Sequence, residues 1–374
     1  MKRLKSIDIF RGVAMVYVMV GHMVDWWTIP SEDWLFYVVV SLFSSLGAAG
    51  FVFMSGVSTM ISYRNRMERI KTTENYTYKS LKKEYLIRAL LVLGLALGYN
   101  GIVAIEFLDP LIVWKWFILL TVAGSLFLAW PLLKTKKWVR IIVGALLWVV
   151  NQITLSFLLP YEGNVNILGG IFYFLYNSLD QNPILSFFTF FLIGTVIGDI
   201  LYDLSLNEND IERKRVFKRK IGVPLLISGI LLIIISFGFL FPNFFTERIL
   251  TIKTNIWWLM YTLGLDLIIL LILLTIEEFQ IIKTKKSYRS IYYFSYYSLS
   301  LFILQNVNFF LFYSLLNRYS IWFFLIATVL LYGALLRFIY KKLEGKFSLK
   351  VQIGILTTSI LKKKKRAVDT SEKK

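Results

Sequence analysis

Apolar residues run in stretches of about 20 along nearly the whole chain, long enough to cross a bilayer and too long for buried strands. Ten such stretches can be marked off: residues 9–28, 34–62, 86–106, 111–133, 138–159, 183–202, 221–241, 255–276, 294–316 and 321–343. Polar residues collect between them and alternate in sign. Lys2, Arg3 and Lys5 precede the first stretch, whereas Asp25, Glu32 and Asp33 follow it. Residues 63–85 hold seven Lys or Arg, and the next turn holds Glu106 and Asp109. Lys134, Lys136, Lys137 and Arg140 come next, then a loop at 160–182 whose charges are Glu162 and Asp180. Six basic residues lie in 203–220, against Arg248 and Lys253 with Glu247 in the following loop. Lys283, Lys285, Lys286 and Arg289, a turn with Arg318, and a basic tail complete the alternation. Every second loop is basic, so the positive-inside rule predicts that both termini are cytoplasmic. The expected fold is an all-α integral membrane protein of about ten transmembrane helices over residues 1–345. A basic, disordered cytoplasmic tail is expected over 346–374.

Two stretches depart from a plain span. Residues 34–62 are longer than a bilayer needs, so the helix must tilt, kink or project, with Gly47 and Gly50 as break points. In the 160–182 loop the apolar run Ile167 to Tyr176 is too short to cross. It is either a re-entrant or interfacial helix covering an outer cavity, or an interface segment alone. The run Lys362 to Arg366 is expected to be drawn to anionic lipid.

Composition narrows the chemistry. Charged residues make up 17% of the 374, against about 25% in soluble domains. The formal charge of +19 needs no nucleic acid, because the basic residues sit in alternate loops. The absence of cysteine excludes disulfides and thiol catalysis, and a single histidine argues against a zinc or haem site. No metal is expected. The N-terminal stretch does not resemble a cleavable signal, being too long, polar at His22 and Asp25, and without a small-residue cleavage site.

The first span carries the sharpest candidate chemistry. Arg11 and His22 lie eleven residues apart, which returns a helical side chain to within roughly 20° after roughly 16 Å of rise. A cation near one end and a titratable imidazole well inside thus share one face, with Asp8 before Arg11 and Asp25 after His22. Ionisable groups within a span are costly and mark function by default. Each has an alternative: Arg11 as a snorkelling end cation, His22 as a packing residue, Asp25 as an interfacial charge. Asp266, in the middle of the 255–276 stretch, either pairs with a cation or lines a cavity. Gln305, Asn306 and Asn308 bring amides into the 294–316 stretch, for an acceptor or for interhelical contacts.

The segment Asp8-Ile9-Phe10-Arg11-Gly12, with His22 beyond it, resembles the start of the multipass membrane acyltransferases: the acyltransferase-3 type and the heparan-α-glucosaminide N-acetyltransferase type. Phe51-Val52-Phe53-Met54-Ser55-Gly56 leading to Ser62-Tyr63-Arg64 is similar to their second span. Phe190-Phe191-Leu192-Ile193-Gly194 to Gly198-Asp199 is similar to a later span of the glucosaminide type. Looser similarity extends to Asn255-Ile256-Trp257 and Ser298-Leu299-Ser300-Leu301. The resemblance implies transfer of an acyl group, taken to be acetyl, from cytoplasmic acyl-CoA to a hydroxyl or amine of a sugar or glycoconjugate. It further implies that the nucleotide is held at the cytoplasmic end while the thioester reaches inward to the histidine.

In that scheme His22 is the base, Asp25 its orienting partner, and Asp8 with Arg11 belong to the donor side. Lys82, Lys83 and Arg88 enter the third span where acyltransferase-3 proteins have an Arg-x-x-Arg pair. Arg88 matches its second arginine, and Tyr85 replaces the first. The glucosaminide type carries its histidine after the first span, whereas His22 has the acyltransferase-3 spacing; near Gln305, relatives often have a histidine. Gln305, Asn308 and Asp266 are expected at the acceptor or along the cavity. The rival from another class is a proton-coupled transporter or flippase using His22, Asp25 and Asp266. Transporters of that kind usually show paired broken helices or a repeat between halves, and the sequence shows neither.

Overall fold

The computed structural model describes residues 4–36, 46–74, 76–177, 181–207, 209–240, 255–282, 288–343 and 345–371. Asp180, Glu247, Arg248, Lys253, Lys283, Lys285 and Lys286 therefore lie outside the described residues. The described chain is almost wholly helical, as lipid requires of a backbone that must satisfy its own hydrogen bonds. In order, the helices are α1 (Lys5–Trp27), α2 (Ala48–Thr72), α3 (Tyr78–Glu106), α4 (Ile118–Leu132) and α5 (Lys137–Leu158). Then come α6 (Ile167–Leu175), α7 (Ile184–Ser205) and α8 (Asp210–Leu240, with a π turn at Lys218–Gly222). The series ends with α9 (Ile256–Glu278), α10 (Arg289–Tyr296), α11 (Ser298–Leu304), α12 (Ser320–Leu343) and α13 (Leu349–Ser371).

Eight of the described helical segments are long and apolar enough to cross a membrane: α1, α3, Pro110–Leu132, Lys137–Tyr161, α7, α8, α9 and α12. The multipass all-α architecture expected from the sequence is therefore present. The two other expected stretches take different forms. Helix α2 starts at Ala48, directly after Gly47, and runs on to Thr72, so its second half carries Arg64, Arg66 and Arg69. The stretch 294–316 is broken into the seven residues of α11 and a 3-10 turn at Gln305–Phe310. From residue 349 a helix, α13, occupies the stretch where a disordered tail was expected.

Helix α7 is the central strut. Its sequence is apolar all round, and residues on every side of it are buried, Phe187, Phe190, Phe191 and Leu192 completely. By contrast, Leu146, Ile153 and Phe157 on α5, Ile234 on α8, and Phe323 and Leu330 on α12 are exposed. A water-soluble protein could not show so much apolar surface; a bilayer accepts it.

Helices α2 and α7 touch backbone to backbone. A Cβ on Gly56 would stand 2.1 Å from the Phe191 carbonyl oxygen, and one on Gly194 would stand 2.1 Å from that of Phe53. Small residues at such crossings let van der Waals contact replace the hydrophobic drive that lipid does not supply. At one end of this pair the contact is closed by charge. Asp199 of α7 accepts from Arg64 of α2 and from Arg140 of α5, both at 2.5 Å. Arg140 is fully buried and also donates to the Thr195 carbonyl at 3.0 Å. Asp203, one turn on, joins Arg64 at 2.8 Å and Lys137 at 2.7 Å.

Helix α1 is tied at both ends. The Lys5 and Ser6 backbone N–H groups donate to the Glu277 carboxylate at 2.9 and 2.7 Å, so the C-terminal end of α9 caps the N-terminal end of α1. At the far end, the backbone N–H of Ser314 donates to the Trp26 carbonyl and that of Leu316 to the Trp27 carbonyl, while Ile29 donates back to Leu316. The short helix α6 is capped by Asn166, whose Oδ1 accepts from the Gly169 N–H at 2.7 Å. It packs beside α5 through Phe172, and its Phe174 carbonyl accepts from the indoles of Trp114 and Trp116.

Replacing Asp199 by Ala would strand the buried Arg140 guanidinium without its carboxylate. Such losses cost about 3–5 kcal/mol. Asp199→Ala should therefore unfold well below the wild type in a detergent thermal melt, whereas Lys137→Ala, which removes a half-exposed pair, should change the midpoint little.

Candidate active site

A cavity of about 340 Å³ opens between α1, α2 and α3 at the end of the molecule where α1 begins, within the range of small-molecule sites. Its lining follows from helical periodicity. Phe51, Ser55, Ser58, Ser62 and Arg66 of α2 are spaced by four, three, four and four residues, which puts them on one face. Leu81, Tyr85, Arg88 and Val92 of α3 follow the same rule and form the facing wall. Helix α1 contributes Arg11, α11 contributes Ser298, α4 an apolar floor of Leu119, Val122 and Leu126, and α13 the side chain of Lys350.

The cavity is thus cationic at its rim, rich in hydroxyls along one wall and apolar at its floor. Among the described residues four cations line it, and no Asp or Glu does. Arg66 is oriented from behind by Glu84 at 3.0 Å, and Glu84 also accepts from the Tyr76 hydroxyl at 2.8 Å. Burial, with the neighbouring Glu84 carboxylate, pushes the Tyr76 phenol up to about 12. The Arg11 Nη2 donates to Ser298 Oγ at 3.5 Å, and the Tyr85 hydroxyl donates to the Leu126 carbonyl at 2.7 Å. Asp8 is buried and accepts from the Tyr288 hydroxyl at 3.3 Å. Lys82 and Lys83 are exposed and are not among the lining residues; Arg88 is.

His22 lies eleven residues along the unbroken helix α1 from Arg11, a rise of roughly 16 Å, and is half-buried. Its ring stacks on Trp26 with centroids 4.9 Å apart and planes at 19°, and Trp26 meets Phe309 edge-on at 5.6 Å. Asp25 is exposed. The broken segment after α11 abuts this end of α1. The Trp27 indole donates to the Asn308 carbonyl at 2.6 Å, and the Asn308 side-chain oxygen accepts from Tyr332 at 3.0 Å. Gln305 is buried, yet neither atom of its amide has a hydrogen-bond partner, nor has the Asn308 Nδ2. A buried amide without partners is costly, so this pair is suited to a polar guest or to water. Asp266 is fully buried on α9, and neither carboxylate oxygen has a hydrogen-bond partner. Its neighbours one and two turns back, Thr262 and Trp258, also have unpartnered polar atoms, so one face of α9 carries a buried polar stripe.

The structure therefore gathers Arg11 and Arg88 in one cavity and brings Gln305 and Asn308 to the His22 end of α1. It adds Arg66, Ser58 and Lys350, which sequence reasoning did not single out, and places Ser55 and Ser62, quoted for the second-span resemblance alone, on the cavity wall. For α2 the signal was present: Phe51, Ser55, Ser58, Ser62 and Arg66 recur at helical spacing within a stretch that also stands out for its length. Among the described residues no group of three or more His, Asp or Glu could hold a metal ion.

No curated protein matches the chain significantly. A family profile, that of the heparan-alpha-glucosaminide N-acetyltransferase catalytic domain, matches residues 3–235. The match contains Arg11, His22, Arg66, Arg88 and the Arg64–Asp199–Arg140 cluster, and it spans α1 to α7 and most of α8. With well over half its length matched and eight helices able to cross a bilayer, the chain belongs to the heparan-alpha-glucosaminide N-acetyltransferase catalytic family of multipass membrane proteins.

Proposed function

We propose that the protein transfers an acetyl group from acetyl-CoA to the amine or hydroxyl of a sugar or glycoconjugate. The observation that carries this reading is the cavity in which Arg11, Arg66 and Arg88 converge over an apolar floor, with no acidic residue in the lining among the described residues. Phosphates of a CoA thioester suit the arginine rim, whose planar guanidinium groups bind phosphate in pairs of hydrogen bonds. The apolar floor suits the pantetheine arm. By the positive-inside rule the basic loops, and with them this rim, face the cytoplasm, as do both termini.

The pantetheine arm is long enough to follow α1 from Arg11 toward His22. There the imidazole of His22 accepts a proton from the acceptor amine or hydroxyl as the nitrogen or oxygen attacks the thioester carbonyl. The carbon–sulfur bond breaks, and the proton held by His22 passes to the departing CoA thiolate, so the transfer needs no further reactant. Gln305 and Asn308 supply amide groups for the acceptor sugar on the outer side, and Trp26 supplies a ring for its apolar face. Asp25 orients His22 in this scheme, and Asp8 acts on the donor side through the position of Arg11.

Purified protein with radiolabelled acetyl-CoA and an amino sugar should release labelled product, and none should form with His22→Ala despite normal thermal stability. Because His22 is the only histidine, diethylpyrocarbonate should inactivate the wild type, and acetyl-CoA should slow that loss. Full activity in His22→Ala would remove the base from this mechanism. Arg11→Lys retains the charge and loses the planar fork. It should lower kcat/KM for acetyl-CoA by about tenfold. Unchanged kcat/KM would reduce Arg11 to an anchoring charge.

A further inference from the structure

Lys350 reaches the cavity from a helix that lies outside the matched segment, which ends at residue 235. Its position is held by a built joint. Gly345 has φ +78°, and a Cβ there would stand 2.3 Å from the Tyr296 hydroxyl, so the turn needs glycine. Buried Ser348 donates to the Tyr296 carbonyl at 3.1 Å, and the Leu349 N–H donates to Ser300 Oγ at 3.0 Å. The Ser300 hydroxyl in turn donates to the Phe347 carbonyl at 3.2 Å. The first turn of α13 is thereby fastened to α10 and α11, two residues of α11 away from the Ser298 that contacts Arg11.

Beyond that joint α13 packs against α3, the helix of Tyr85 and Arg88. Ile353 and Thr357 are buried, and they share a face with Lys350 at spacings of three and seven residues. Ile355 is exposed on the opposite side and Leu356 on the flank, where lipid can cover them. The packed face of α13 is therefore the one that carries the lysine.

We propose that Lys350 is a further donor-binding residue, and that α13 is the element that brings it to the anionic end of the donor. This rests on the reading of the cavity as an acyl-CoA site. Lysine suits the role as a point charge on a flexible stem, following a phosphate that the fixed arginines hold in place. Because Lys350 is exposed at the cavity mouth, its contribution is screened and should weaken with added salt.

Calorimetric titration of the full-length protein in detergent with CoA tests the assignment. Lys350→Ala should weaken CoA binding by about fivefold at low salt, a magnitude suited to an exposed ion pair. Lys350→Glu should weaken it further, Lys350→Arg should bind within about twofold of the wild type, and the KM for acetyl-CoA should follow the same order. The joint at Ser348 and the packing of Ile353 and Thr357 do not involve the amine, so all three variants should remain folded, each with a single cooperative thermal transition. If the wild type binds CoA and both Lys350→Ala and Lys350→Glu bind it equally well, the assignment of Lys350 is overturned and the donor site stands. If the wild type binds no CoA, the reading of the cavity fails and Lys350 falls with it.

Discussion

The meeting of Asp199 with Arg64 and Arg140 is the constraint on which the rest of the structure depends. A fully buried guanidinium and a buried carboxylate are each costly to take out of water, and a cluster is favourable only when its geometry satisfies both. The geometry is available because glycines at 56 and 194 let α2 and α7 approach to backbone contact. Nothing bulkier fits between them. The cluster fixes the rotation of α2 about its axis, so Ser55, Ser58, Ser62 and Arg66 point away from α7 and into the cavity. The charges that hold α2 and the charges offered to a ligand are therefore different residues on opposite faces of one helix.

Helix α1 is governed by a second constraint, its capture at both ends. Glu277 satisfies the first N–H groups, and the strand-like exchange between residues 26–29 and 314–316 holds the last turn. A helix pinned in this way keeps the spacing between Arg11 and His22 at its helical value. The proposed transfer, with partners entering from opposite ends, would need such a fixed ruler, since misplacement of about 1 Å is costly in rate. The unpartnered Gln305 amide and Asn308 Nδ2 lie where the ruler ends, in an apolar stretch that breaks into a 3-10 turn.

Most of the spans were legible because a bilayer leaves the backbone little choice but helix, and length then suffices to identify them. Residues 298–310 were misleading for the same reason: an apolar count does not register the break at Gln305. Arg140 looked like a loop charge of the positive-inside kind, although it is among the most buried side chains in the molecule. Charge counting cannot tell a solvated loop cation from one folded back onto Asp199. In the cavity, Arg11 and Arg88 were legible from spacing and resemblance. Lys82 and Lys83 were named beside Arg88, but neighbours in sequence face different ways on a helix, and both are exposed. Arg66 and Lys350 needed tertiary contacts to be noticed. The buried stripe of Asp266, Thr262 and Trp258 on α9 does not line the cavity that holds Arg11 and Arg88, and no hydrogen-bond partner for its polar atoms is present among the described residues.

The account turns on a donor held by the arginine rim at one end of α1 and an acceptor meeting it near His22 at the other. Sealed inside-out vesicles test this directly. Acetyl-CoA labelled in its acetyl group and supplied outside should acetylate an amino sugar enclosed in the lumen, while the CoA moiety stays outside. Transfer that occurs only when donor and acceptor share one compartment would contradict it.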